Sequence, residues 1–147
     1  MMDIKIDKEK VFDNVVMNAS IIARDLFDAN GNSLYDKVVI RERDKDLLET
    51  NFNKAFSVLK TLLRDFMTEV KDYVITIDNP DNNGVLAESI EEMANTYMVE
   101  RLCADWLKLK SPEHAAIYLN ESESSLNELK KKVYFKDAPK LKLYGEE

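Results

Sequence analysis

Between Asp44 and Asp72, apolar residues recur at positions 48, 52, 55, 56, 59, 62, 63, 66 and 70. Steps of three and four place these side chains on one broad face of an α-helix. A helix over the whole span would be about 42 Å long at 1.5 Å per residue. Asp44 and Asp46 suit its positive N-terminal end. Mid-stripe residues should carry much of the core energy, so Leu59→Ala or Phe56→Ala is expected to cost roughly 2–5 kcal/mol. An unchanged melting temperature in both variants would mean that this face does not point inward.

Three further segments repeat the pattern. Val11, Val15, Ala19, Ile22 and Leu26 form a stripe over about 7–29, widened by Phe12, Val16, Ala23 and Phe27, and Asn30-Gly31 tolerates the positive φ of a helix stop. Leu86, Ile90, Met93, Ala94, Tyr97, Leu102 and Trp106 predict a helix over about 85–108, apolar around much of its circumference and therefore central. Ser111-Pro112-Glu113 is a helix start, with an N-cap serine, a first-turn proline and an acid at the positive end. Ala115, Leu119, Ser122, Leu126, Leu129 and Val133 then make a heptad-like seam.

The connectors are less regular. Residues 32–42 read mainly as loop, with a short strand as the alternative. Tyr73-Val74-Ile75-Thr76-Ile77 is β-branched and aromatic and reads as a strand or an extended link. Asp78 to Gly84 is a strong turn. Few glycines and prolines, three of each, favour a few long helices over many short strands. The expected fold is mainly α: a four-helix-bundle-like single domain over 1–136, with room for a short β-strand pair in the connectors and an extended C-terminal tail over 137–147. A chain of 147 residues can bury roughly 70% of its unfolded surface.

The lone cysteine, Cys103, excludes an internal disulfide and a Cys-rich zinc site, and a reducing compartment such as the cytoplasm is expected. The charged opening, Met1 to Asp7, does not read as a signal peptide, and no apolar run approaches the roughly 18 residues of a membrane helix. The net charge of −7 argues against general nucleic-acid binding. It is unevenly spread: residues 127–147 carry six lysines against four acids, for +2, and residues 1–126 carry fifteen basic and 24 acidic residues, for −9.

The catalytic inventory is thin. His114, the single histidine, sits in a first helical turn, with neither a nucleophile nor an orienting group marked in sequence. Cys103 lies within an apolar helix and reads as core. Asn79, Asp81, Asn83 and Gly84 match positions one, three, five and six of a calcium loop, but the twelfth position is Ile90 where a glutamate is needed. One histidine cannot supply the paired Glu-x-x-His motifs of a two-metal bundle. The glycines at 31, 84 and 145 are too scattered for a phosphate loop. Neither cofactor nor metal is implied, and surface recognition is the expected mode of action. Trp106, Tyr97 and Tyr118 read as large buried anchors, with contact to a neighbouring subunit as the alternative. The candidate partner contacts are Trp106, Tyr118, Lys130, Lys131, Lys132, Tyr134, Lys140 and Lys142.

Several local sequences, in this order, carry a resemblance: Asn30-Gly31 before Leu34-Tyr35-Asp36; Arg43-Asp44-Lys45-Asp46-Leu47-Leu48 before Phe52; Tyr73 to Ile77; Ser89-Ile90 leading to Tyr97 and Trp106-Leu107-Lys108-Leu109; Pro112-Glu113-His114-Ala115; and Tyr118, Leu126, Lys130 to Tyr134 and Pro139. Nearly the whole chain resembles small proteins encoded among the virion structural genes of tailed phages and prophages, of the neck or head–tail connector type. The resemblance implies a non-enzymatic assembly protein in a homo-oligomeric ring, touching portal and tail components, in the cytoplasm during assembly and then in the virion. The resemblance also implies a terminus that reaches to a neighbouring subunit, a part it gives to the tail from Lys136 to Glu147. A soluble helical adaptor or regulator binding a protein partner is the competing reading.

Overall fold

The computed structural model describes residues 2–78 and 87–134 and is mainly helical. Its elements run β1 (Met2–Lys5), α1 (Lys8–Arg24), a short α2 (Tyr35–Val38), a 3-10 turn (Glu42–Asp44), α3 (Lys45–Leu63), β2 (Met67–Lys71), β3 (Val74–Ile77), α4 (Ala87–Leu107) and α5 (Pro112–Tyr134). The expected tail over 137–147 and most of the 78–84 turn lie outside the described residues.

Each long helix buries the centre of the stripe its sequence predicts, while Ile22, Leu62, Met93 and Leu126 are half-buried. In α3 these are Leu48, Phe52, Ala55, Phe56, Leu59 and Leu63, and in α1 Val11, Val15, Ala19 and Ala23. Asp7 caps α1 by accepting the Lys10 backbone N–H at 3.1 Å. Helix α4 buries residues around much of its circumference, from Ile90 to Leu107, and packs against α1, α3, α5 and β1. In α5 the seam of Ala115, Ser122, Leu129 and Val133 is buried against the core, whereas Leu119 stands at its exposed rim.

Two helices stop earlier than their periodicity suggests. Helix α1 ends at Arg24 instead of about residue 29. The Asp28 carboxylate accepts the backbone N–H groups of Asn30 and Asn32, both at 2.9 Å, and Gly31 sits at φ 81°. This side-chain-to-backbone bonding competes with helix continuation. The two backbone donors, Asn32 foremost, also hold the Asp28 carboxyl below its usual pKa. Leu34 N–H then bonds to Leu26 O at 2.9 Å, closing the loop.

Helix α3 ends at Leu63, not near Asp72, and residues 67–71 become a strand. Phe66 and Val70 remain in phase with the helical stripe, yet the chain reverses at Asp72-Tyr73, at φ 50° and 65°. Positive φ at both central positions is what a two-residue type I′ hairpin requires, and it matches the twist of the flanking strands. The Tyr73 carbonyl accepts the Ile6 N–H at 2.9 Å, which fastens this turn to the start of the chain.

The strand pair therefore forms within 67–77, while residues 32–42, expected mainly as loop, hold the short helix α2 and, at Ser33, an isolated bridge to Phe27. A third strand joins from the N-terminus, giving an antiparallel sheet of order β1-β3-β2. Met2 lies opposite Ile77 and Lys5 opposite Val74, while β2 pairs Lys71 with Val74 and is irregular between Met67 and Glu69. Met2, Ile4, Ile75 and Ile77 face the helices and join one core with residues from all four long helices.

An aromatic cluster fixes the sheet to α1 and α3. The Phe52 ring meets Phe12, Phe56 and Tyr73 at centroid distances of 5.6, 6.2 and 5.1 Å. The Lys8 ammonium lies 5.2–5.7 Å from the Phe12, Phe52 and Tyr73 rings and is paired with Glu49. Burial pulls the Lys8 pKa down, but the bond and charge from Glu49 outweigh it, leaving a net rise.

Candidate functional site

The lysines of α5 are brought to one end of the helical layer. Lys130 and Lys131 are exposed, and Lys131 makes a 3.6 Å pair with Glu128. Lys132 instead bonds to Ser89 Oγ, tying the last turn of α5 to the first turn of α4. Tyr134 is half-buried; its hydroxyl donates to Leu62 O at 2.6 Å and meets Asp65 Oδ2 at 3.2 Å. It reads as an anchor of α5 on α3. Tyr118 is half-buried beside the core. Lys140 and Lys142 lie outside the described residues.

Trp106 is buried within its own chain. It is 4% exposed, and its indole N–H donates to Val38 O at 2.7 Å within the core. The Lys110 ammonium covers the ring at 3.8 Å. A contact role for Trp106 is thus replaced by a structural one: it holds the short α2 turn against α4.

The sequence did not reveal a polar cleft of about 530 Å³ between β1, the start of α1 and the first half of α4. Glu88, Glu91, Glu92 and Asn95 form one wall, and Lys5, Asp7, Lys10 and Asn14 line the other. Glu91 accepts the Lys5 N–H at 2.7 Å. Asn95 accepts the Asp7 N–H at 3.0 Å and donates to Lys5 O at 2.9 Å. These bonds fasten the two walls together. The acids outnumber the lysines among the lining residues, four to two, and among the described residues Glu88 and Glu92 carry no ion pair. The Glu91-Glu92 pair was visible in sequence; its opposing wall, more than 70 residues away, was not.

A second polar strip runs between α4 and α5. Ser125 donates to Glu100 Oε1 at 2.5 Å, and Asn18 of α1 approaches Cys103 Sγ at 3.8 Å. Burial pushes the Cys103 thiol up to about 12, so it has the character of an inert core thiol. Burial also raises the Glu100 pKa, with Glu121 adding to the rise and the Ser125 hydroxyl opposing it. A raised carboxyl binds its proton more tightly in the folded chain. Its contribution to stability is therefore present at low pH and falls as pH rises from near 4.5 through the folded value. Glu100→Gln removes that decline, so its melting temperature at pH 7 is expected to exceed that of the parent and to vary less with pH. A lower melting temperature at pH 7 would contradict this account.

His114 Nδ1 and Ser111 Oγ share a 2.7 Å hydrogen bond across the first turn of α5, which ties the histidine to the residue that precedes the helix. Ile90, at the twelfth position of the tested calcium loop, is buried in α4. Among the described residues no group of three or more His, Cys, Asp or Glu is placed to hold a metal ion. No helix of the described residues is long and apolar enough to cross a membrane.

Large apolar side chains do stand outside the core. Met17 and Ile21 of α1 are 53% and 52% exposed, one turn apart on a common face. At the α4–α5 corner Leu109 is 92% and Ile117 56% exposed. A groove of about 290 Å³ there is lined by Ala104, Pro112, Ala115, Ala116 and Leu119, with Arg101, Asp105 and Lys108 at its rim. No protein-family model matches the chain, and no curated protein or solved structure matches it.

Proposed function

We propose that this chain is a non-enzymatic assembly protein of the neck or head–tail connector type, acting through protein–protein contacts in a homo-oligomeric ring. Its four long helices are read as a bundle in which α4 is the partner shared by α1, α3 and α5. The observation that supports the assembly reading is the outward placement of large apolar side chains on long helices. Met17 and Ile21 share one face of α1, and Leu109 and Ile117 flank the α4–α5 corner. Single exposed apolar residues are ordinary, but groups of them edged by charge mark contact surfaces. The segment order that resembles the connector group supplies the biological setting.

Light scattering on the purified full chain, alone and mixed with the products of its neighbouring genes, tests this reading. A discrete multimer, or a stable complex with a neighbour, is expected. A chain that stays monomeric at all concentrations and binds none of those proteins would remove it.

A further inference from the structure

The sheet has two outer edges, and they are not alike. Ile6 N–H bonds to Tyr73 O, so Tyr73, Ile75 and Ile77 turn their backbone groups toward β1, and Val74 and Thr76 turn theirs toward β2. On β1, Lys5 therefore points outward, and α4 takes up both of its groups: Glu91 accepts its N–H and Asn95 donates to its carbonyl. On β2, Glu69 and Lys71 face Thr76 and Val74, and the N–H and C=O of Val70 between them point outward. Among the described residues β2 has β3 as its one sheet neighbour, and no helix plays for Val70 the part that α4 plays for Lys5.

The Val70 side chain is uncovered too. It stands opposite Ile75, on the face that packs against the helices, yet it is 36% exposed whereas Ile75 is fully buried. Glu69 and Lys71, on the other face, are exposed. A free edge that is apolar on its core side is a template for one more strand.

The chain carries a matching segment. Lys140-Leu141-Lys142-Leu143-Tyr144 alternates with period two, which gives a strand with both leucines on one face and the lysines and tyrosine on the other. These residues lie outside the described ones, but their point of departure is fixed. Helix α5 is described to Tyr134, whose hydroxyl donates to Leu62 O and whose ring meets that of Phe66 at 5.0 Å, one residue before β2 begins. Residues 135–139 can span up to roughly 20 Å, against the ~5 Å between neighbouring strands.

We propose that residues 140–144 add to the free edge of β2 in the same chain, as a fourth strand parallel to it. In this register Leu143 lies beside Val70, Lys142 beside Glu69 and Tyr144 beside Lys71, so apolar meets apolar on the core side and base meets acid on the outer side. An antiparallel strand with the same Lys142–Glu69 pairing would set Lys140 against Lys71 and begin at the far end of β2. The contact is made within one chain, so it stands or falls apart from the ring.

Amide exchange of Val70 in the full chain, followed by NMR, tests it. In the parent the Val70 N–H should exchange at least tenfold more slowly than in the Leu141→Asp, Leu143→Asp double variant, at a rate independent of protein concentration. Ile75, whose bonds are to β1, should exchange equally in both, which separates loss of the strand from loss of the fold. Equal Val70 rates in parent and variant would overturn the proposal. Protection that appears only as concentration rises would overturn it as well, because the added strand would then come from a second copy. Mild oxidation gives an independent reading: Val70→Cys with Leu143→Cys should form an intramolecular disulfide at least tenfold faster than Val58→Cys with Leu143→Cys, Val58 being exposed on α3. Equal rates in the two pairs would contradict the placement. The buried Cys103 thiol is a poor competitor in this reaction.

Discussion

Phe52→Ala is expected to lower the stability of the folded chain by about 3–5 kcal/mol, the range for removing a buried aromatic ring. Phe52 is fully buried, and its ring is the member of the aromatic cluster that touches Phe12 of α1, Phe56 of α3 and Tyr73 of the hairpin turn. The cavity would open where three elements meet, so no single one can move to fill it. For a chain of this length the loss corresponds to a fall of roughly 6–20 °C in melting temperature. Phe52→Leu keeps much of the volume and should cost about half as much or less. Chemical and thermal unfolding followed by circular dichroism would check both. A loss below about 1 kcal/mol for the alanine variant would mean that the cluster does not join α1, α3 and the sheet.

Trp106 should show a graded pair of effects. Trp106→Ala removes the largest side chain of α4 and is expected to cost about 3–5 kcal/mol. Trp106→Phe retains most of the apolar contact but deprives the buried Val38 carbonyl of its 2.7 Å donor, an effect of about 1–3 kcal/mol. The phenylalanine variant should also loosen residues 35–38, seen as faster amide exchange there than in α3. Equal stability of the Phe variant and the parent would show that the indole N–H contributes nothing beyond its ring.

The helical parts of this fold were legible because their apolar residues keep one period over many turns. Helix α4 was expected over 85–108 and is described from Ala87 to Leu107, and Ser111-Pro112 marks the start of α5 where it occurs. The end of α3 was not legible. Phe66 and Val70 fit the helical stripe equally well, and pairing of β2 with β3 prevails over local period. The four residues of β1 are too few for alternation to stand out, although Met2 and Ile4 do point inward and Asp3 and Lys5 outward. Among surface features, Lys130 and Lys131 were visible as a charge run. Met17 and Ile21 could have been found as apolar residues off the α1 stripe. The cleft could not, since its walls are joined only by tertiary bonds such as Asn95 to Lys5.

The pairing of β1 with β3 has a consequence for synthesis. Met2 leaves the ribosome well before its partner Ile77, which lies 75 residues further along the chain. At about 5–20 residues per second that is a wait of roughly 4–15 s. Throughout it, Met2, Ile4 and Ile6 have no sheet to join, while α1 and α3 already emerge. Of the three strands β1 is made first, yet it cannot pair until β3 has emerged.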